Sequence, residues 1–155
     1  MKKKITTTMC IILLAVMVYL YFYPFVYQSD YYGDLGIGMA HTYDSVVEKL
    51  GEPLCVRQNA DGGWNVEYDG FYLFYNHIET GAFMRVVVYG KQHRFGYRNI
   101  GVGTSRKKLE SIYKNVDKIL DMPENEFGVI DDGIWVYFEF DKNDTVSQIV
   151  ITDGV

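Results

Sequence analysis

Two kinds of hydrophobic pattern divide the chain. From Met9 to Tyr27 the residues are apolar and aromatic almost without interruption, with Lys2, Lys3 and Lys4 ahead of them and no charge until Asp30. Beyond that run, short apolar stripes at helical spacing give way to stretches rich in aromatic and β-branched residues. One stripe is Val46, Val47 and Leu50, with Thr42 placed to cap its start and Gly51 ending it before Pro53. The other is Leu109, Ile112, Tyr113 and Val116, behind Thr104 or Ser105. Helices this short are unstable alone in water and must pack on something. Strands are predicted at Gly70–Tyr75 and Ile134–Phe140 from their aromatic and β-branched content. Each precedes a turn signal and a second strand, Phe83–Tyr89 after Thr80-Gly81 and Val146–Thr152 after Asp141–Asp144. Further strands are expected near Leu54–Gln58 and Lys118–Met122.

These elements form two copies of one unit. Leu35-Gly36-Ile37-Gly38 opens the first and Ile100-Gly101-Val102-Gly103 the second, 65 residues on. That shift also lays Phe71 on Val136, Leu73 on Phe138 and Met84 on Ile149, with the helices two residues out of step. The expected fold class is therefore α+β: an N-terminal transmembrane helix, then two tandem units of a short helix plus about three antiparallel strands, helices on one sheet face. The units run from about 34–90 and 99–155, with a linker over 90–98.

Gly36-Ile37-Gly38-Met39, a short helix ending Val46…Leu50-Gly51-Glu52-Pro53, and antiparallel strands after it resemble the β-lactamase-inhibitor-like fold, which includes small outer-membrane lipoproteins of the small-protein-A type. The motif covers residues 35–53, with an echo at 99–113. It departs from that group by two extra residues between Met39 and the helix, and by an apolar segment where the lipoproteins carry a lipidated cysteine. The resemblance implies a binding or scaffolding module that meets partners through an exposed sheet face. It does not imply β-lactamase inhibition, because function belongs to sites and not to folds.

The first apolar run decides localisation. About 19 helical residues span roughly 28 Å, close to the hydrocarbon thickness of a bilayer. Tyr19, Tyr21, Phe22, Tyr23, Phe25 and Tyr27 crowd its far half, where aromatic rings favour the membrane boundary. Lysines before the run and aspartates after it keep the amino end cytoplasmic. Residues 1–28 thus read as a cytoplasmic tip and single-pass anchor, and 29–155 as an extracytoplasmic domain. The rival is a cleaved secretory signal, although Pro24-Phe25-Val26-Tyr27-Gln28-Ser29 lacks a small-x-small exit. A lipoprotein signal needs its cysteine after the run, and Cys10 lies near its beginning.

Length and charge add less. The 155 residues allow one domain and an appendage. Cys55 is the only cysteine after the apolar run, so no disulfide forms within the domain, and it reads as a small buried apolar residue, the alternative being an intermolecular bridge. Charge falls in blocks: nine acids and two bases over 28–84, two acids and nine bases over 85–118, nine acids and one base over 119–155. The basic block holds Lys91, Arg94, Arg98, Arg106, Lys107 and Lys108 around Phe95 and Tyr97. Facing outward, it suits an anionic surface such as lipid headgroups or wall polymer rather than nucleic acid. The alternative is a solvated linker that balances the acidic units.

Chemistry is sparse. His41, His77 and His93 lack metal-ligand spacing and read as solvated loop residues. Neither glycine pair completes a nucleotide-binding motif, and Asp131-Asp132 reads as turn chemistry. No catalytic set, metal site or cofactor is expected, and the chain is read as a non-enzyme. One sheet face is more informative. Ile134, Val136, Phe138 and Phe140 should face the helices, which turns Trp135 and Tyr137 outward. Tyr72, Phe74, Arg85 and Tyr89 join them by the same parity. Trp, Tyr and Arg dominate protein-binding hot spots. The expected function is a membrane-anchored extracytoplasmic protein-binding module, an envelope scaffold, inhibitor or immunity-type protein. The alternatives are a wall-polymer or small-ligand sensory domain using the basic linker and, third, an enzyme with an unrecognised site.

Overall fold

A computed structural model describes residues 12–14, 29–96, 98–116 and 118–153. Eight strands form one sheet: β1 Cys55–Gln58, β2 Trp64–Tyr68, β3 Phe71–Tyr75, β4 Arg85–Val88, β5 Lys118–Leu120, β6 Glu126–Asp131, β7 Ile134–Phe140 and β8 Val146–Thr152. Every neighbouring pair is antiparallel, in the order β1-β2-β3-β4-β8-β7-β6-β5. Short helices accompany it among the described residues, α1 Asp30–Gly33, α2 Tyr43–Leu50 and α3 Arg106–Tyr113. The molecule is mostly β, and this corrects the expected α+β layering of a helix plus about three strands per unit. Each unit carries four strands, and the two sets merge into one sheet.

The strands missing from that expectation are β2 and β6. In β2 the buried set Val66 and Tyr68 alternates with Asn65 and Glu67, and Asp69-Gly70 turns the chain into β3. In β6, Gly128 and two acids dilute the apolar signal. Aspartate-glycine turns, with positive φ at Gly70 and at both Asp132 and Gly133, close the two hairpins.

The expected membrane-spanning helix lies almost wholly outside the described residues. Of Met9–Tyr27 only Ile12, Leu13 and Leu14 are described, as helical, and no described helix is long and apolar enough to cross a membrane.

The repeat has a different step from the expected 65. Thr42 precedes α2 as Ser105 precedes α3, and the bridge Thr42↔Ala82 recurs as Ser105↔Thr145, all 63 residues apart. The same 63-residue step relates the pairings of β1 to β3 to those of β5 to β7. Gly38 therefore corresponds to Gly101, and Gly36 (φ 70°) to Asn99 (φ 49°), not to another glycine. The amide of Gly38 donates to His41 Nδ1 at 2.8 Å, and that of Gly101 to Thr104 Oγ1 at 3.1 Å. His41 is buried in this role, contrary to its reading as a solvated loop residue.

Only the last strand follows the longer step. Leu73 pairs with Val86 and its counterpart Val136 with Ile151, which makes Val86 and Ile151 equivalent. These two residues also pair with each other across β4 and β8. A pseudo-two-fold axis thus passes through the middle of the sheet. One of the two extra residues of β8, Ser147, is absorbed where its register with β7 shifts, between Glu139 and Phe140.

One face of the sheet meets the helices. Val66, Leu73, Val86, Ile151, Val136 and Val129 lie in one cross-strand row and are all buried. Val46 of α2 and Leu109 and Tyr113 of α3 close over that face, in one core with Ile37 and Ile100. Burying a large aliphatic side chain stabilises by roughly 1.5–3 kcal/mol, which is what holds such short helices in place.

Candidate functional site: the outer sheet face

The other face has no described helix over it. Strand parity turns two complete rows of residues outward, each crossing all eight strands. The first runs Arg57, Asn65, Phe74, Arg85, Thr152, Trp135, Ile130, Lys118. The second runs Cys55, Glu67, Tyr72, Val87, Val150, Tyr137, Gly128, Leu120. Tyr72 and Phe74 are the 63-residue counterparts of Trp135 and Tyr137, so the pseudo-axis generates a four-ring set around β4 and β8. All four rings are half-buried.

Local contacts hold the rings in place. The Arg85 guanidinium carbon lies 4.9 Å from the Phe74 ring centroid, an exposed cation–π contact. Trp135 and Tyr137 sit with centroids 6.3 Å apart and tilted. Tyr89 donates to Glu67 Oε1 at 3.1 Å, and Arg57 pairs with the same carboxylate at 3.3 Å. Burial raises the pKa of the Tyr137 hydroxyl above the ordinary tyrosine value. Burial and then the bond to Glu67 do the same for Tyr89.

Two concavities open on this face. The larger, about 480 Å³, is lined by Phe74, Asn76, Met84, Arg85, Glu126, Tyr137, Glu139, Val150 and Thr152. The smaller, about 260 Å³, is lined by Cys55, Arg57, Asn65, Glu67, Tyr72 and Tyr89. Tyr72, Phe74, Arg85, Tyr89, Trp135 and Tyr137 thus share one face. Phe74, Arg85 and Tyr137 enter the larger hollow, Tyr72 and Tyr89 the smaller, and Trp135 stands beside the first. Glu126 and Glu139 lie on the same hollow without any marker in the strand pattern. Their cross-strand pairing, which brings them together, has no signature in sequence distance.

The basic block divides. Arg98 bonds Asp131 across the molecule, and its guanidinium lies 5.4 Å from the Tyr113 ring. Asp131 also accepts from the Tyr31 hydroxyl at 3.1 Å, so this residue belongs to an internal network and not to a turn alone. Arg106 pairs with Asp144 at 2.6 Å, donates to Glu124 O at 2.8 Å and covers Phe140 at 3.8 Å. Lys91, Arg94, Lys107 and Lys108 are exposed. Tyr97, read as flanking the block, lies outside the described residues. Among the described residues no group of three or more His, Cys, Asp or Glu is placed to hold a metal ion.

No family model and no curated protein matches the chain. Solved structures do. An extracellular protein containing an SCP domain from Bacillus anthracis str. Ames superposes with a TM-score of 0.57 at 13% identity, over 74% of this chain and 44% of that one. A cysteine-rich secretory protein from Staphylococcus aureus subsp. aureus Mu50 gives 0.50 at 10% identity, with the same coverages of 74% and 44%. A DUF4309 family protein from Bacillus subtilis subsp. subtilis str. 168 gives 0.45 at 15%, over 72% and 77%. The chain spans less than half the length of the first and second of these. At such identities the likeness is one of fold, a sheet-rich fold found in proteins described as extracellular or secretory. The β-lactamase-inhibitor-like resemblance is not among these matches.

Proposed function

We propose that this chain is an extracytoplasmic, non-enzymatic module that binds a protein partner through the outer face of its sheet. The observation that carries the reading is the set Tyr72, Phe74, Trp135 and Tyr137, grouped around Arg85 on a face with no described helix over it. Large rings held half-exposed by their neighbours lose little entropy on binding, and such residues supply most interface energy. The use of an exposed sheet face by the β-lactamase-inhibitor-like group supports the same reading. Placement outside the cytoplasm is supported by the basic start followed by the apolar run Met9–Tyr27, and by the two secreted-type neighbours in fold. We place the module at the outer side of the cytoplasmic membrane, retained there by that run.

Cross-linked membranes from cells carrying the tagged full-length chain, captured beside its Trp135→Ala/Tyr137→Ala form, test the site. A defined protein should appear with the first and be lost with the second while both fold alike. Equal capture by both overturns the assignment. The second reading, a polyanion bound by the basic block, rests on exposed Lys91, Arg94, Lys107 and Lys108. It requires binding that is released steeply by salt, whereas the protein complex should resist moderate salt. Fractionation and external protease then test placement, since a chain found only in the cytoplasm contradicts the proposal.

A further inference from the structure

The larger concavity holds charges that the sheet does not need. Arg85 stands at one side over Phe74. At the other, Glu126 and Glu139 are directly opposed on β6 and β7. Tyr137 and Val150 contribute to the lining as well. Among the described residues none of the three charged groups joins an ion pair, and Glu139 accepts a hydrogen bond from Gln148 Nε2 at 3.1 Å. Like charges on directly opposed residues destabilise a sheet, so strand pairing gives no reason for the two glutamates. The repeat removes a second structural reason. The first unit has Gly63 and Asn76 where the second has Glu126 and Glu139, and the second has Val150 where the first has Arg85. Both halves build the same strands, with neutral residues at each place in one of them. Departures from structural preference of this kind gather at binding sites.

We propose that this concavity binds a short zwitterionic peptide. Its amino-terminal ammonium lies between Glu126 and Glu139, its carboxylate meets Arg85, and an apolar side chain rests on Tyr137. Three ammonium donors suit two carboxylates, and the planar guanidinium fork suits one carboxylate. The volume of about 480 Å³ falls within the range of roughly 300–1,000 Å³ usual for small-ligand sites. A polyanion would be repelled by the glutamates, and a neutral sugar would leave all three charges unmatched. The inference rests on the proposed function only in taking the outer face as a binding surface, and it specifies a ligand class for part of that face.

Calorimetric titration of the full-length chain in detergent micelles with Ala-Phe-Ala tests it, beside the N-acetylated and C-amidated forms of the same tripeptide. The free peptide should bind, and each blocked form at least tenfold more weakly, the effect of losing about 1.4 kcal/mol. Glu126→Gln with Glu139→Gln should weaken the free peptide to the same degree and leave the acetylated one unchanged. Arg85→Gln should weaken the free peptide and leave the amidated one unchanged. The doubly substituted glutamine form should melt no lower than the parent, which separates a lost site from a lost fold. No binding at millimolar peptide, or equal binding of all three peptides, overturns the site. Either result leaves a Trp135-dependent capture of a protein partner standing, so the two proposals fail separately.

Discussion

Tyr32 and Tyr75 both pack their rings on Phe83, with centroids 6.0 and 6.1 Å away, and bury hydroxyls that find no partner among the described residues. Their counterparts in the second unit, 63 residues on, are Phe95 and Phe138. An unpaired buried hydroxyl costs about 1–3 kcal/mol. Tyr32→Phe and Tyr75→Phe should therefore leave stability unchanged or raise it by about 1 kcal/mol each in chemical denaturation; a loss would mean that the hydroxyls have a role. Burial, aided by Asp153 for Tyr32 and by Tyr68 and then Tyr43 for Tyr75, raises the pKa of both hydroxyls above the ordinary 10.0. The stability this represents is present below pH 10 and is lost as pH rises above it, so the double phenylalanine variant should resist alkaline unfolding better. Residue identity made these rings recognisable as core. Their missing partners could not be read from the chain, because a hydroxyl's neighbours are set by packing.

The β7–β8 hairpin is stapled by Asp141, whose carboxylate accepts from the Thr145 amide at 3.0 Å and the Asn143 amide at 2.9 Å. These bonds, that of the Thr145 amide foremost, hold its pKa below the ordinary 3.8. The contribution is complete above about pH 4 and disappears as pH falls through the lowered value. Asp141→Asn should lower the melting temperature at pH 7, and the gap to the parent should close in acid; a gap that persists below pH 2 would refute this role. Turn residues of this kind were legible, since Asp141, Asn143 and Asp144 carry their chemistry locally. The same holds for Ser105, whose hydroxyl accepts from the Lys108 amide at the start of α3, whereas Thr42 takes the N-cap position of α2 without a side-chain capping bond. β2 and β6 were not anticipated, because each mixes polar and apolar residues to serve a sheet with one covered and one open face.

At the scale of the molecule the two units share one sheet through β4 and β8, with Val86 and Ile151 fully buried at the pseudo-axis. Ile151→Ala should cost about 2–5 kcal/mol, and both halves should still unfold in one transition by fluorescence and circular dichroism. Separate transitions would show that the units are independent. The amino-acid pattern was enough to establish a duplicated unit, its helix starts, six of the eight strands and the outward parity of Tyr72, Phe74, Trp135 and Tyr137, because periodicity of two and of 3.6 is a local property. It did not disclose the 63-residue step, the fusion of two meanders into one sheet or the pairing of Arg98 with Asp131 and of Arg106 with Asp144. Nor did it place Arg85, Glu126 and Glu139 around one concavity. Those depend on which strands become neighbours, and burial of the shared apolar face in three dimensions selects that pairing, not sequence separation.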